Sequence, residues 1–147
     1  MTIDSRDTER AMSQENVELI RRGFEAFNRG DLEGALALAD PVPEFEFVPH
    51  GVLIPDLSSV QRGPDGLRRL WEAFFVDFDD LYADIHELVD AGDQVFSSFT
   101  LRGRGKQSGV ETSFDGWLVW TVRAGRVTRL LGFTDRDPAL EAAGLEG

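Results

Sequence analysis

Cysteine is absent from the chain, which rules out a disulfide framework, a thiolate zinc site and a thiol nucleophile. A chain without disulfides suits the cytoplasm, the expected location. Histidine occurs only as His50 and His86, and tyrosine only as Tyr82, so imidazole and phenol chemistry have few residues to draw on. Positive charge is scarce: 15 Lys and Arg face 27 Asp and Glu, a net charge of -12. Such a surface repels phosphate backbones, so neither nucleic acid nor an anionic membrane is an expected partner. Long apolar runs are missing too. Met1 to Ala11 is polar and lacks the core of a signal peptide or a membrane span. Residues 1–12 therefore read as a disordered leader, with Met12 as an alternative start, ahead of one domain over 13–147. No His, Asp and Glu cluster has metal-ligand spacing, so no metal is expected. No cofactor is expected either.

What is present suits a single domain, since 147 residues with 41% hydrophobic content can bury a core unaided. Asn16 to Asp31 is the most informative stretch. Val17, Ile20, Phe24 and Phe27 fall at alternating steps of three and four, along one helical stripe. Asn28-Arg29-Gly30 then supplies a stop, and Asp31 is suited to cap a second helix. The first helix is predicted from about Ser13 to Asn28. The second runs from Asp31 to about Ala39, burying Leu32, Ala35, Leu36 and Leu38, and ends at Asp40-Pro41. Glu44 to Val48 alternates charged and apolar residues as a half-buried strand does.

Pro49 to Arg62 reads as irregular chain containing His50, Pro55, Asp56 and Ser58. Gly63-Pro64 opens a third helix, on which Leu67, Leu70, Trp71, Phe74, Phe75 and Phe78 form a wide apolar stripe. Four strands follow: Leu81 to Asp90, Gln94 to Arg104, Glu111 to Arg123 and Arg126 to Asp135. Ala91-Gly92-Asp93 and Ala124-Gly125 are turns within this meander. A glycine-rich loop from Gly103 to Gly109 lacks phosphate-loop spacing. Asp137-Pro138 starts a last helical turn that ends at Gly144. Helices gathered early and strands late indicate an α+β fold with a mostly antiparallel sheet.

Strand parity places Phe114, Leu118, Trp120 and Val122 on one face, and Asp115, Trp117, Val119, Thr121 and Arg123 on the other. The last strand divides into Leu130, Gly132 and Thr134 against Val127, Leu131, Phe133 and Asp135. Both faces carry apolar residues, yet the helices suffice for one. A homodimer through the second face is the resulting expectation, with scattered surface aromatics as the alternative.

Gly23 to Asp31, the Gly-Arg-Val turn at Gly125 and the ending Asp135 to Leu145 resemble SnoaL-like proteins of the nuclear-transport-factor-2-like superfamily. The resemblance covers essentially everything after Met12. It implies a curved sheet wrapped around three helices as a cone, an internal pocket and often a dimer. Ketosteroid isomerases of that superfamily carry a catalytic tyrosine and two aspartates, where this chain has Gly23, Phe47 or Val48, and Leu118. The Arg-x-Asp pair of limonene-epoxide hydrolases is replaced by Arg102-Gly103-Arg104. Scytalone dehydratases depend on histidines and tyrosines, which are few here. For the acidic base of SnoaL-type cyclases, Asp115 and Asp135 are candidate counterparts.

The function these readings support is binding of a small apolar or carbonyl-containing molecule in an internal pocket. A cofactor-independent cyclase or isomerase, or a dimeric interaction module with a filled interior, are the alternatives. His50 is a candidate proton shuttle or an ordinary loop histidine. His86 reads as a solvent-facing strand residue. Asp115, beside Trp117, is a candidate base or a strand-edge charge, and Asp135 lines a pocket mouth or supports the final cap. Arg102 either binds a carbonyl or carboxylate or stands in solvent. Phe47, Trp71 and Trp120 are candidate pocket walls, with simple core packing as the other reading.

Overall fold

The computed structural model describes residues 5–51 and 59–145; Pro55, Asp56 and Ser58 lie outside the described residues. The chain runs α1 (Ser5–Asn28), α2 (Leu32–Ala39), β1 (Glu46–His50), β2 (Gln61–Arg62), α3 (Gly63–Asp77), β3 (Phe78–Ala91), β4 (Gln94–Gly105), β5 (Glu111–Arg123), β6 (Arg126–Phe133) and α4 (Arg136–Ala142). The six strands form one curved, unclosed sheet in the order β2-β1-β6-β5-β4-β3. The meander from β3 to β6 is antiparallel, as the turn signals imply, whereas β1 lies parallel to β6. The fold is α+β.

The Asn28-to-Asp31 corner does what its residues suggest, and more. Gly30 takes a left-handed conformation with φ 74°. The Asp31 carboxylate accepts from the Gly34 amide at 2.9 Å and caps α2. Asn28 also ties α1 to the edge strand: its Oδ1 accepts from the Ala83 amide at 2.7 Å and its Nδ2 donates to the Ala83 carbonyl at 3.1 Å. Both ladder groups of Ala83 on the outer side of β3 are thereby satisfied.

Several boundaries differ from the sequence reading. α1 begins at Ser5, so the helix takes in much of the polar segment before Ser13. β1 continues to His50 because its parallel pairing with β6 extends to His50 opposite Phe133. β3 begins at Phe78, directly after α3. In α2 the fully buried residues are Ala35 and Ala39, while Leu32, Leu36 and Leu38 remain partly exposed. Val127 joins Val122 in the main core rather than Leu131 and Phe133, because the β5–β6 register shifts between Thr121 and Val122.

α1 and α3 cover the concave face of the sheet, over Phe45, Phe47, Val95, Phe99, Leu101, Leu118, Trp120 and Leu130. The other face has a smaller core of Phe96, Val119, Leu131 and Phe133. Its cover comes from α4, through Ala139, Ala143 and the partly buried Leu140. This corrects the expectation that the helices suffice for one face only: the short tail helix shields part of the second. Arg136 fastens it, lying 5.5 Å over the Phe96 ring and forking onto the Glu87 carboxylate.

Candidate functional site

Aromatic side chains converge where α1 and α3 meet the concave sheet. Phe24 and Phe27 descend from α1, Trp71 and Phe74 from α3, and Phe47, Phe99 and Trp120 rise from β1, β4 and β5. Ring centroids stand 5.4 Å apart for Phe27 and Trp71, 5.6 Å for Phe24 and Phe99, and 6.2 Å for Trp71 and Trp120. Two strand glycines make the geometry work. A Cβ on Gly116 would lie 2.7 Å from the Phe99 ring, and one on Gly132 would lie 2.9 Å from the Phe47 ring. Without side chains at these points, both rings can lie against the sheet.

Packing leaves two small voids, of about 20 and 30 Å³. The first lies among Leu19, Ile20, Gly23, Phe24, Trp71 and Trp120; the second among Phe24, Phe47, Leu70, Trp71, Phe99 and Leu118. Each has room for about one or two waters, far below the size of a drug-sized ligand site. Phe24, Phe27 and Trp71 line both voids and stand between them. Among the described residues no ionisable side chain lines either one. The polar groups nearby satisfy one another: Trp120 Nε1 donates to Ser97 Oγ at 3.2 Å, and Ser97 Oγ donates to the Leu118 carbonyl at 2.9 Å.

A much larger cleft of about 1030 Å³ opens on the surface beside this interior. Its walls are α1, from Ser13 to Arg22, the β3–β4 turn at Gly92-Asp93 and the β5–β6 turn at Ala124-Gly125. Ser13 Oγ donates to the Gly92 carbonyl at 3.2 Å across it. Leu19 lines both the cleft and the first void.

Of the residues singled out from sequence, Phe47, Trp71 and Trp120 meet in this interior; the ionisable candidates do not. Arg102 is exposed on the convex face, held by Asp84 at 2.7 Å and lying 5.2 Å over the Tyr82 ring. Asp115 is exposed on the same face. There Thr100 Oγ1 donates to Asp115 Oδ1 at 2.6 Å and lies 2.7 Å from His86 Nε2. A hydroxyl that donates to the carboxylate leaves its lone pair for the imidazole, so His86 Nε2 carries the proton. His50 stacks on Phe133 with centroids 4.6 Å apart. Asp135 is exposed at the start of α4 without a side-chain cap bond. Among the described residues, no group of three or more His, Asp and Glu could hold a metal ion. On the convex side the Glu87 carboxyl is held below the usual range by Arg136, opposed by desolvation and helped by Ser98.

Sequence reasoning did not assign Phe24, Phe27, Phe99 or Ser97 to the site. Phe24 and Phe27 had a signal, since their stripe also contains Ile20, another wall of the first void. Ser97 had none, because its role depends on an indole from the neighbouring strand.

The model of the SnoaL-like domain family matches residues 20–130. The chain belongs to the SnoaL-like domain family. No curated protein matches it in sequence. Among solved structures, this SnoaL-like chain is similar to an NTF2-like protein of unknown function from Burkholderia pseudomallei, at 21% identity and TM-score 0.70, over 88% of this chain and 95% of the other. TerC, co-crystallised with polyporic acid, matches at 23% identity and TM-score 0.68, over 88% and 98% of the two chains. A putative SnoaL-like polyketide cyclase from Mesorhizobium loti matches at 18% identity and TM-score 0.61, over 78% and 95%. At such identities the likeness establishes a shared fold. No helix among the described residues of this SnoaL-like protein is long and apolar enough to cross a membrane.

Proposed function

We propose that this SnoaL-like protein binds a small apolar molecule between α1, α3 and the sheet, without transforming it. The observation that carries this reading is Gly23. It sits inside α1, where glycine costs about 0.5–1 kcal/mol relative to alanine, and it lines the first void. A Cβ placed there would meet nothing within 4 Å. Neither a crowded neighbour nor a left-handed backbone calls for glycine at this point. Open space at the wall of an aromatic interior is what a ligand would use. Turning Phe24, Phe27 and Trp71 aside would join the two voids into one pocket.

Binding is favoured over proton transfer because the described residues that line the voids are apolar and the nearby indole and hydroxyl are already bonded to each other. His50, Asp115 and Asp135 act, in this reading, outside the pocket. A homodimer through the strip of convex face left open by α4, and a cytoplasmic location, belong to the same proposal.

Native mass spectrometry of the purified protein tests it. The wild type is expected to carry an apolar adduct or to take one up. Gly23→Leu should lose it by filling the void, and Gly23→Ala should gain about 0.5–1 kcal/mol of stability. A wild type that takes up no apolar compound, with Gly23→Leu folded and more stable, would point to a simply filled interior and end the proposal.

A further inference from the structure

The cleft and the two voids form a series. Leu19 is shared by the cleft and the first void, and Phe24, Phe27 and Trp71 are shared by the two voids. A ligand entering from the surface past Leu19 would run along Gly23 and, as the rings turn aside, reach toward Phe47 and Leu118. The character of this path changes along its length: ionisable and amide side chains at the surface, only apolar walls inside. A thin chain follows such a track by displacing one side chain at a time. A fused ring system would have to displace Phe24, Phe27 and Trp71 together, against close aromatic packing.

Charge at the mouth narrows the choice further. Arg123 pairs with Asp93 at 3.4 Å across the far wall of the cleft. Arg22 stands on the near wall, one helical turn beyond Leu19, and has no carboxylate within ion-pair distance among the described residues. Among the described residues its hydrogen bond is from Nε to the Glu18 carbonyl at 3.4 Å, which leaves its terminal nitrogens available. Glu15, two helical turns back toward the N-terminus, is the other cleft charge with no ion-pair partner among the described residues. Among the described residues ten Lys and Arg side chains are paired with carboxylates, so an unpaired guanidinium beside the cleft is a feature against the trend. The net charge of -12 opposes an anion at long range, but salt screens that field within about 8 Å, which leaves Arg22 as the local determinant.

We infer that the ligand is a straight-chain amphiphile with an anionic head, its carboxylate paired with Arg22 in the cleft and its apolar tail passing Leu19 into the interior. This rests on the binding reading above and names the class of molecule bound. Arg22 supplies preference among head groups, and Gly23 supplies room for the tail. Burial of the tail supplies most of the affinity.

The test titrates the full chain with octanoate, decanoate, dodecanoate, decanol and decylamine, each below its micelle concentration, and follows tryptophan fluorescence in a Trp117→Phe background, so that Trp71 and Trp120 report. Affinity is expected to rise about fourfold per added methylene. Decanoate should bind more tightly than decanol or decylamine. Arg22→Gln, an exposed substitution, should weaken decanoate about fivefold at low salt and leave decanol unchanged. Tighter binding of decylamine would mean that Glu15 reads the head, and would overturn the assignment. So would an Arg22→Gln variant that binds decanoate as the wild type does, or that loses decanol equally. A flat chain-length series beside tight uptake of an uncharged polycyclic probe would overturn the amphiphile while the internal pocket stands. If no probe binds, both readings fall together.

Discussion

At the residue scale the interior is defined by who is paired with whom. Ser97 is fully buried, yet it lies on the same strand face as Val95, Phe99 and Leu101. It is tolerated there because its hydroxyl donates to the Leu118 carbonyl while accepting from the Trp120 indole. A buried donor that loses its acceptor costs about 1–3 kcal/mol, more than the hydrogen bond was worth when made. Ser97→Ala leaves Trp120 Nε1 in that position, so it should destabilise the protein by about 1–3 kcal/mol in denaturant unfolding. It should also shift the tryptophan emission as the indole seeks another partner. A variant as stable as the wild type, with unchanged emission, would mean that this pair contributes nothing. The same reasoning separates the interior from Asp115. Strand parity alone puts Asp115 on the face opposite Leu118 and Trp120, so its separation from the apolar interior is legible in the sequence. Its bond to Thr100 is not, because that depends on register with β4.

At the element scale, what was legible followed from local chemistry. The corner at Asn28 to Asp31, the proline-started α3 and both hairpin turns carry their own signals in residue type, and each appears in the structure where those signals stand. Elements created by partners were not legible. β2 consists of Gln61 and Arg62 paired with β1, and β1 reaches His50 only because β6 lies parallel beside it. α4 reads as a last helical turn, but its function as cover depends on Arg136 meeting Glu87 of β3, from 49 residues earlier in the chain.

That latch has a pH dependence whose sign follows from the Glu87 shift. Arg136 lowers the carboxyl below its ordinary value of 4.5, so the folded state binds the Glu87 proton less readily than the unfolded chain. The stabilisation is complete above about pH 4.5 and is lost as pH falls through the depressed value. Wild type and Glu87→Gln should therefore differ in melting temperature at pH 7 and converge toward pH 3. Protection of the α4 amides against hydrogen exchange, taken relative to the intrinsic rate at each pH, should fall over the same interval. A difference that persists undiminished in acid would remove the ion pair as its cause.

At the scale of the whole molecule, two faces of one sheet need cover and receive it unequally. The concave side has α1 and α3, while the convex side has seven residues of α4 over Phe96, Val119, Leu131 and Phe133. Beyond α4 the convex face turns polar, with Tyr82, Asp84, His86, Thr100, Arg102 and Asp115. The homodimer expected from sequence therefore needs different physics from the apolar seam that strand parity suggested. A second copy laid on this strip would meet charges of both signs, already paired within each protomer. The attraction would be hydrogen-bonded, partly electrostatic and screened by salt. Sedimentation of the full chain should accordingly show a dimer at low salt that weakens as salt rises. Removing residues 136–147 changes the balance, because the Phe96–Phe133 cluster then loses its helix and becomes an exposed apolar patch of the kind that drives association. That truncated chain should self-associate more strongly, and its association should resist salt. A monomeric full chain at low salt would dispose of the polar interface. A monomeric, folded truncation would show that α4 is not the cover that the convex core requires.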